Sequence, residues 1–218
     1  MVPTLSMVFM AISAIVSIGL PIALGIIWHK RTGAKASSLF IGAAAFVVFA
    51  MILENICHRL VLYGSGSCAA FMQSNLWAYG LYGVLAAGVF EETGRLCAFK
   101  LLFKKKDDRC ESVMYGIGHG GVEAVLVSGL TMISYIVLSV IINVSGGMAG
   151  LTALGMGESQ TSALMAAFTG TNPFMYLVSG IERIIAIAFH ISMSVLVFTA
   201  LCVLLAVKVY RGMTPKPE

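Results

Sequence analysis

An all-α, polytopic transmembrane bundle of about five to six spans is the fold class this sequence predicts. Its 218 residues are 59% hydrophobic and only 11% charged, with a mean hydropathy of +0.94, far from a soluble-domain average. Several apolar runs exceed the roughly 20 residues a helix needs to cross hydrocarbon. No stretch alternates with strand period over the roughly ten-residue segments of a barrel. Residues 1–218 are expected to form a single transmembrane domain in the cell membrane. The net charge of +4 comes mostly from loop Lys and Arg, so the bilayer is the expected partner and nucleic acid is not.

The first run, Leu5 to Trp28, has no basic segment ahead of it and is followed by His29-Lys30-Arg31, the reverse of a secretory signal. It reads as an uncleaved span. The second, Ser38 to about Tyr63, leads into the uncharged turn sequence Gly64-Ser65-Gly66-Ser67-Cys68. The third, Leu76 to Phe103, ends at Lys104-Lys105-Lys106-Asp107-Asp108-Arg109. The positive-inside rule makes both basic loops cytoplasmic, along with the tail bearing Lys208, Arg211 and Lys216, and leaves the N-terminus outside. The fourth span, Ser112 to about Val144, is longer than one crossing and is expected to tilt or break near Gly129. Between it and the last span, Ser159 to Phe168 fits a short interfacial or re-entrant helix burying Leu164, Met165 and Phe168. Thr171-Asn172-Pro173 then marks a helix start, with a capping side chain ahead of Pro at the first helical position. Five cysteines show no metal-binding spacing. Cys57 and Cys68 fall on the same predicted side and are candidates for pairing.

The third span carries Glu91, Glu92 and Arg95 in an apolar run. Membrane-buried charge is costly and is a functional-site hypothesis by default. On a helix, Arg95 reaches Glu91 at i+4 or Glu92 at i+3. Two acids against one base leave one carboxylate over. The four-residue spacing assigns Glu91 to Arg95 and leaves Glu92 as the base. At about 1.5 Å of rise per residue, Glu92 lies roughly 18 Å and Arg95 roughly 13 Å above the Lys104 boundary, while His119 and Glu123 lie roughly 10 and 16 Å above Ser112. A short loop makes the two helices neighbours, and Gly116, Gly118, Gly120 and Gly121 permit close approach. His190 and Ser194 share a face near the middle of the last span. Glu182 with Arg183, and Glu54 with His58 or Arg59, read as structural pairs.

The order Glu91-Glu92-Thr93-Gly94-Arg95, Tyr115-x-x-x-His119 and His190-x-x-x-Ser194 resembles the EExxxR, FxxxH and HxxxN motifs of the CAAX-protease and bacteriocin-processing superfamily of intramembrane glutamic proteases. The shortened EExxR and the Gly-His-Gly-Gly-Val-Glu run look closest to its YhfC branch. The resemblance covers Phe90 to Ser194 and implies hydrolysis of a peptide bond in a membrane-associated protein or peptide. It implies a Glu of the doublet as general base, Arg95 holding the other Glu, and His119 and His190 orienting water and carbonyl without a required cofactor. Ser194 replaces the Asn expected to stabilise the oxyanion. Glu123, outside the three motifs, opens a zinc reading with His119, Glu123, His190 and a Glu of the doublet as ligands. A proton- or ion-coupled carrier is the rival from another class, since buried Glu, His and Arg also build proton relays. A non-catalytic immunity-type membrane partner is a further alternative.

The orientation is checked by cysteine accessibility. Single cysteines in the 104–109 loop should resist an impermeant reagent from outside, and those in the 64–75 loop should react. Labelling of the Lys-rich loop from outside contradicts the assignment.

Overall fold

In hydrocarbon every backbone N–H and C=O must be satisfied within its own segment or by a closed sheet. A computed structural model describes residues 1–102 and 109–213; every regular element among them is a helix, the described connections are short, and there is no strand among the described residues. Eight helices follow in order: α1 (Thr4–Thr32), α2 (Ala36–Val61), α3 (Ser67–Ser74), α4 (Leu76–Leu102), α5 (Arg109–Val144), α6 (Met148–Ala153), α7 (Glu158–Gly170) and α8 (Pro173–Met213). Four of them, α1, α2, α5 and α8, are long and apolar enough to cross a membrane. The fifth expected span, α4, has 27 residues, enough for the length, but its charged triplet lowers its hydropathy. The protein is a multi-pass membrane protein. The basic loop at Lys104 to Asp108 and the tail residue Lys216 lie outside the described residues.

The chain divides into two compact units, Met1–Leu24 with Glu123–Ala188, and Gly25–Val122 with Phe189–Glu218, whose boundaries fall within α1, α5 and α8. In the first unit, Met10, Ala14, Met132, Ile142, Leu151, Phe168 and Tyr176 form the core. Here α7 confirms the short helix expected at Ser159 to Phe168: Phe168 is buried, and Leu164 and Met165 pack against the core. The Asn143 side-chain amide holds the backbone of Val2 from both sides, accepting from its N–H at 2.7 Å and donating to its C=O at 3.0 Å. Hydroxyls link three helices in series, Ser17 of α1 to Ser128 of α5 at 3.1 Å and Ser128 to Ser179 of α8 at 3.1 Å. The break expected near Gly129 is a π-helical segment, Ala124–Gly129. At that point a Cβ on Gly129 would meet the Ile18 side chain.

The second unit holds the acidic doublet. Its α1 segment ends with Lys30 and Arg31, whose positive charge suits a helix C-terminus. The turn to α2 follows at Gly33, with φ of +73°, a left-handed conformation that glycine adopts without strain. The first turn of α2 is capped from another helix. Glu111 of α5 accepts from the Lys35 N–H at 3.1 Å and from the Ser38 hydroxyl, a carboxylate placed where free amides and the helix dipole favour it. A second tie is the Trp28 indole, which donates to the Cys110 carbonyl at 2.9 Å. A π-helical segment, Val47–Glu54, interrupts α2 and packs against α4.

Close approach in this unit depends on glycine. A Cβ on Gly118 would run into the backbone of Leu39, one on Gly42 into the Tyr115 carbonyl, and one on Gly116 to within 2.6 Å of Ile191 Cα. Helices α2 and α8 therefore both press on the α5 turn that carries His119. Around them Ala45, Ala98, Phe99, Tyr115 and Phe198 form the core. The five cysteines are free, so Cys57 and Cys68 are not paired. Asn172 does cap α8, accepting from the Phe174 N–H at 3.0 Å.

Gly118→Ala should cost about 1–3 kcal/mol, because the obstacle is backbone that has no rotamer to change. Gly88→Ala, which meets nothing within 4 Å, should be neutral or slightly stabilising. Thermal unfolding in detergent distinguishes them, and equal melting temperatures for the two variants contradict the packing argument.

Candidate active site

Arg95 sets the geometry. It is fully buried, so its charge has to be met by protein groups. Its Nε donates to Glu92 Oε2 at 3.1 Å, and Nη1 donates to the His190 carbonyl at 3.0 Å and to the Ser194 hydroxyl. Nη2 lies 3.3 Å from His190 Nδ1, and the guanidinium carbon sits 5.9 Å from the Tyr115 ring centroid. The guanidinium thus ties α4 to α8.

Glu91 is left to the histidines. Its Oε2 is 3.8 Å from His119 Nε2 of α5 and 3.7 Å from His190 Nδ1 of α8. Both imidazoles are buried, whereas the Glu91 side chain retains 19% exposure. The i+4 assignment of Glu91 to Arg95 is therefore corrected: Arg95 takes the i+3 partner, and the surplus carboxylate is Glu91. The reason is angular. Successive residues on a helix point about 100° apart, so the two acids cannot serve one face together, and the face turned to α5 and α8 belongs to Glu91.

Aromatic rings close the site. Phe46 meets His119 edge-on with centroids 5.3 Å apart, Tyr115 stands 5.8 Å from His119, and His119 and His190 lie 4.8 Å apart. Both ring nitrogens of His119 are buried without a hydrogen-bond partner among the described residues. In a native interior such a group calls for an explanation.

One expected member, Glu123, stands elsewhere. Glu123 binds Arg183, Nη1 to Oε1 at 2.7 Å, and Arg183 also takes Glu182, Nε to Oε2 at 2.8 Å. A nearly buried guanidinium in an apolar helix needs such partners, and Glu123 serves that need instead of joining the histidines. Of the zinc set expected from sequence, Glu123 drops out: among the described residues, Glu91 of the doublet, His119 and His190 bring ligand atoms within 4.8 Å of one another. Ser194 also differs from its expected role. A hydroxyl has one proton, and that proton goes to the His190 carbonyl at 2.7 Å while the oxygen accepts from Arg95. It braces the site and has no proton left for an oxyanion.

The outer pair is Glu54 with His58, Oε1 to Nε2 at 3.2 Å, and His58 Nδ1 lies 3.0 Å from the Tyr82 hydroxyl. Sequence reasoning missed Phe46 and Glu111. Nothing marks one phenylalanine among twelve as the ring beside a histidine. Glu111 stands beside the basic loop, and its contact with α2 has no signal in the sequence.

A family model described as "YhfC intramembrane metalloprotease" matches residues 16–208. A membrane protein of Bacillus subtilis (strain 168), YhfC, is 40% identical over 201 residues, which cover 92% of this chain and 77% of that protein. No solved structure matches significantly.

Proposed function

The chain belongs to the YhfC intramembrane metalloprotease family, and from its site we propose that it is an endopeptidase cleaving a membrane-associated protein or peptide. The observation that carries this is one carboxylate oxygen of Glu91 lying 3.8 and 3.7 Å from imidazole nitrogens of two different helices, with the neighbouring cation already engaged elsewhere. A carboxylate free of its arginine, partly shielded from water, is what a general base requires.

In the chain's own chemistry, a water bound at Glu91 gives a proton to the carboxylate as its oxygen bonds to the scissile carbonyl carbon. Imidazole N–H groups of His119 and His190 polarise that carbonyl and meet the charge that develops on its oxygen. As the C–N bond breaks, Glu91 returns the proton to the leaving amine. Arg95 and Ser194 act through His190, fixing where its ring stands. The Phe46 and Tyr115 rings beside His119 lower the local polarity and so strengthen each of these interactions.

The donor set also fits a zinc ion. Two imidazoles and a carboxylate are a peptidase ligand set, and the lack of a hydrogen-bond partner at either nitrogen of buried His119 favours this second reading. Glu91, His119 and His190 would hold the ion, which would supply Lewis-acid polarisation of water and carbonyl. The two readings share residues and reaction. They differ in whether exhaustive chelation abolishes turnover and zinc restores it.

Glu91→Gln should lower turnover by about 10²-fold or more, the usual worth of a general base, with the melting temperature held. Glu92→Gln removes the Nε partner of a buried guanidinium, and its first cost, about 1–3 kcal/mol, should fall on stability. A quenched-fluorescent peptide library assayed in proteoliposomes, beside thermal unfolding, reads both. Cleavage by Glu91→Gln at the wild-type rate refutes the assignment.

A further inference from the structure

Arg95 meets His190 twice, at its backbone carbonyl through Nη1 and at its ring through Nη2, 3.3 Å from Nδ1. A guanidinium has five N–H donors, no acceptor and a permanent charge. That settles the direction of the ring contact: Nδ1 accepts, and the neutral imidazole carries its proton on Nε2. The same Nδ1 is the atom 3.7 Å from Glu91 Oε2, the nitrogen by which His190 faces the carboxylate. One lone pair cannot serve a guanidinium proton and a metal ion together.

We propose that Arg95 is a positioning residue that gates His190: while its guanidinium holds Nδ1, the site offers a metal ion only Glu91 and His119, and ion uptake requires the Arg95–His190 ring contact to break. The proposal rests on reading Glu91, His119 and His190 as one peptidase site. The guanidinium is not free to drift, since Glu92 holds Nε and Ser194 and the His190 carbonyl hold Nη1. Because the fork is planar, Nη2 cannot move alone. Release comes from rotation of the His190 ring about χ2 or from displacement of the whole fork, and either step makes ion binding slower and weaker than the donor set alone dictates. With Nδ1 held, His190 instead presents an Nε2–H, the donor form that the metal-free chemistry uses.

The test is zinc affinity of the full chain in detergent, measured by competition with a chromophoric chelator, for wild type and Arg95→Lys. Lysine keeps the positive charge beside the site, so the repulsion of a cation is retained, but its single ammonium cannot span Glu92, Ser194 and Nδ1. Arg95→Lys should bind zinc about tenfold or more tightly, roughly one hydrogen bond to a charged group. Histidine ¹⁵N spectra of the ion-free wild type should show His190 as the Nε2–H tautomer. Should Arg95→Lys fail to fold, Ser194→Ala, which frees Nη1 on one side, should shift affinity in the same direction by a smaller factor. Equal or weaker zinc binding in the variant, no zinc binding in either protein, or an Nδ1–H tautomer in the wild type overturns the proposal. None of these readings uses turnover, so failure here is separate from failure of the peptidase assignment, which Glu91→Gln decides.

Discussion

A guanidinium with no exposed surface, set in a helix of a membrane protein, must be answered by protein groups or not be there at all. Arg95 is answered by Glu92, by the His190 carbonyl and by the Ser194 hydroxyl, and most of the site's geometry follows from that requirement. Satisfying the arginine fixes α4 against α8. It also consumes one acid of the doublet, so the other turns toward the histidines without a cation of its own. A single structural demand thus separates two adjacent, chemically identical residues into a brace and a reactive group.

Bringing α5 into the same place is a matter of size. His119 reaches Glu91 because the turn around it has almost no side chains to hold the helices apart. Gly116 admits α8, Gly118 admits α2, and Gly42 of α2 answers on the other side. Without a hydrophobic force between helices in lipid, such close backbone contacts are a main source of association energy. Interruptions accompany these contacts. The π-helical segments at Val47–Glu54 and Ala124–Gly129 follow directly on Phe46, which packs on His119, and on Glu123, which binds Arg183. π-Helical turns inside α-helices are frequent at functional sites; the first of these ends on the buried Glu54 and the second starts directly after Glu123.

Much of this was legible beforehand. Hydropathy and length predicted the spans, Thr171-Asn172-Pro173 predicted the start of α8, and depth along the helices put the doublet, His119 and His190 at one level. What spacing could not decide was direction around a helix axis. Both i+3 and i+4 partners were open to Arg95, and only the positions of α5 and α8 chose between them. Glu123 was misplaced for a related reason. It shares a face with His119 by period, yet Arg183, on a distant stretch of sequence, offered it a stronger partner. Ser194 was read by analogy to a motif position, and its one proton turned out to be committed to its own helix. Glu111 shows another limit: nothing in its sequence setting marks it, and it is buried as a cap on another helix.

The central claim is that Glu91, not Glu92, stands between the two histidines. Solid-state NMR of the protein in lipid bilayers, with ¹³C-labelled glutamate carboxyls and ¹⁵N-labelled histidine rings, measures it directly through carboxyl-to-imidazole dipolar couplings, the Glu91→Gln and Glu92→Gln variants supplying the assignment. The account predicts strong couplings from the Glu91 carboxyl to both His119 Nε2 and His190 Nδ1, matching separations of 3.8 and 3.7 Å from its oxygen, and a Glu92 carboxyl coupled to neither. Couplings from Glu92 to both rings, with Glu91 silent, would contradict it.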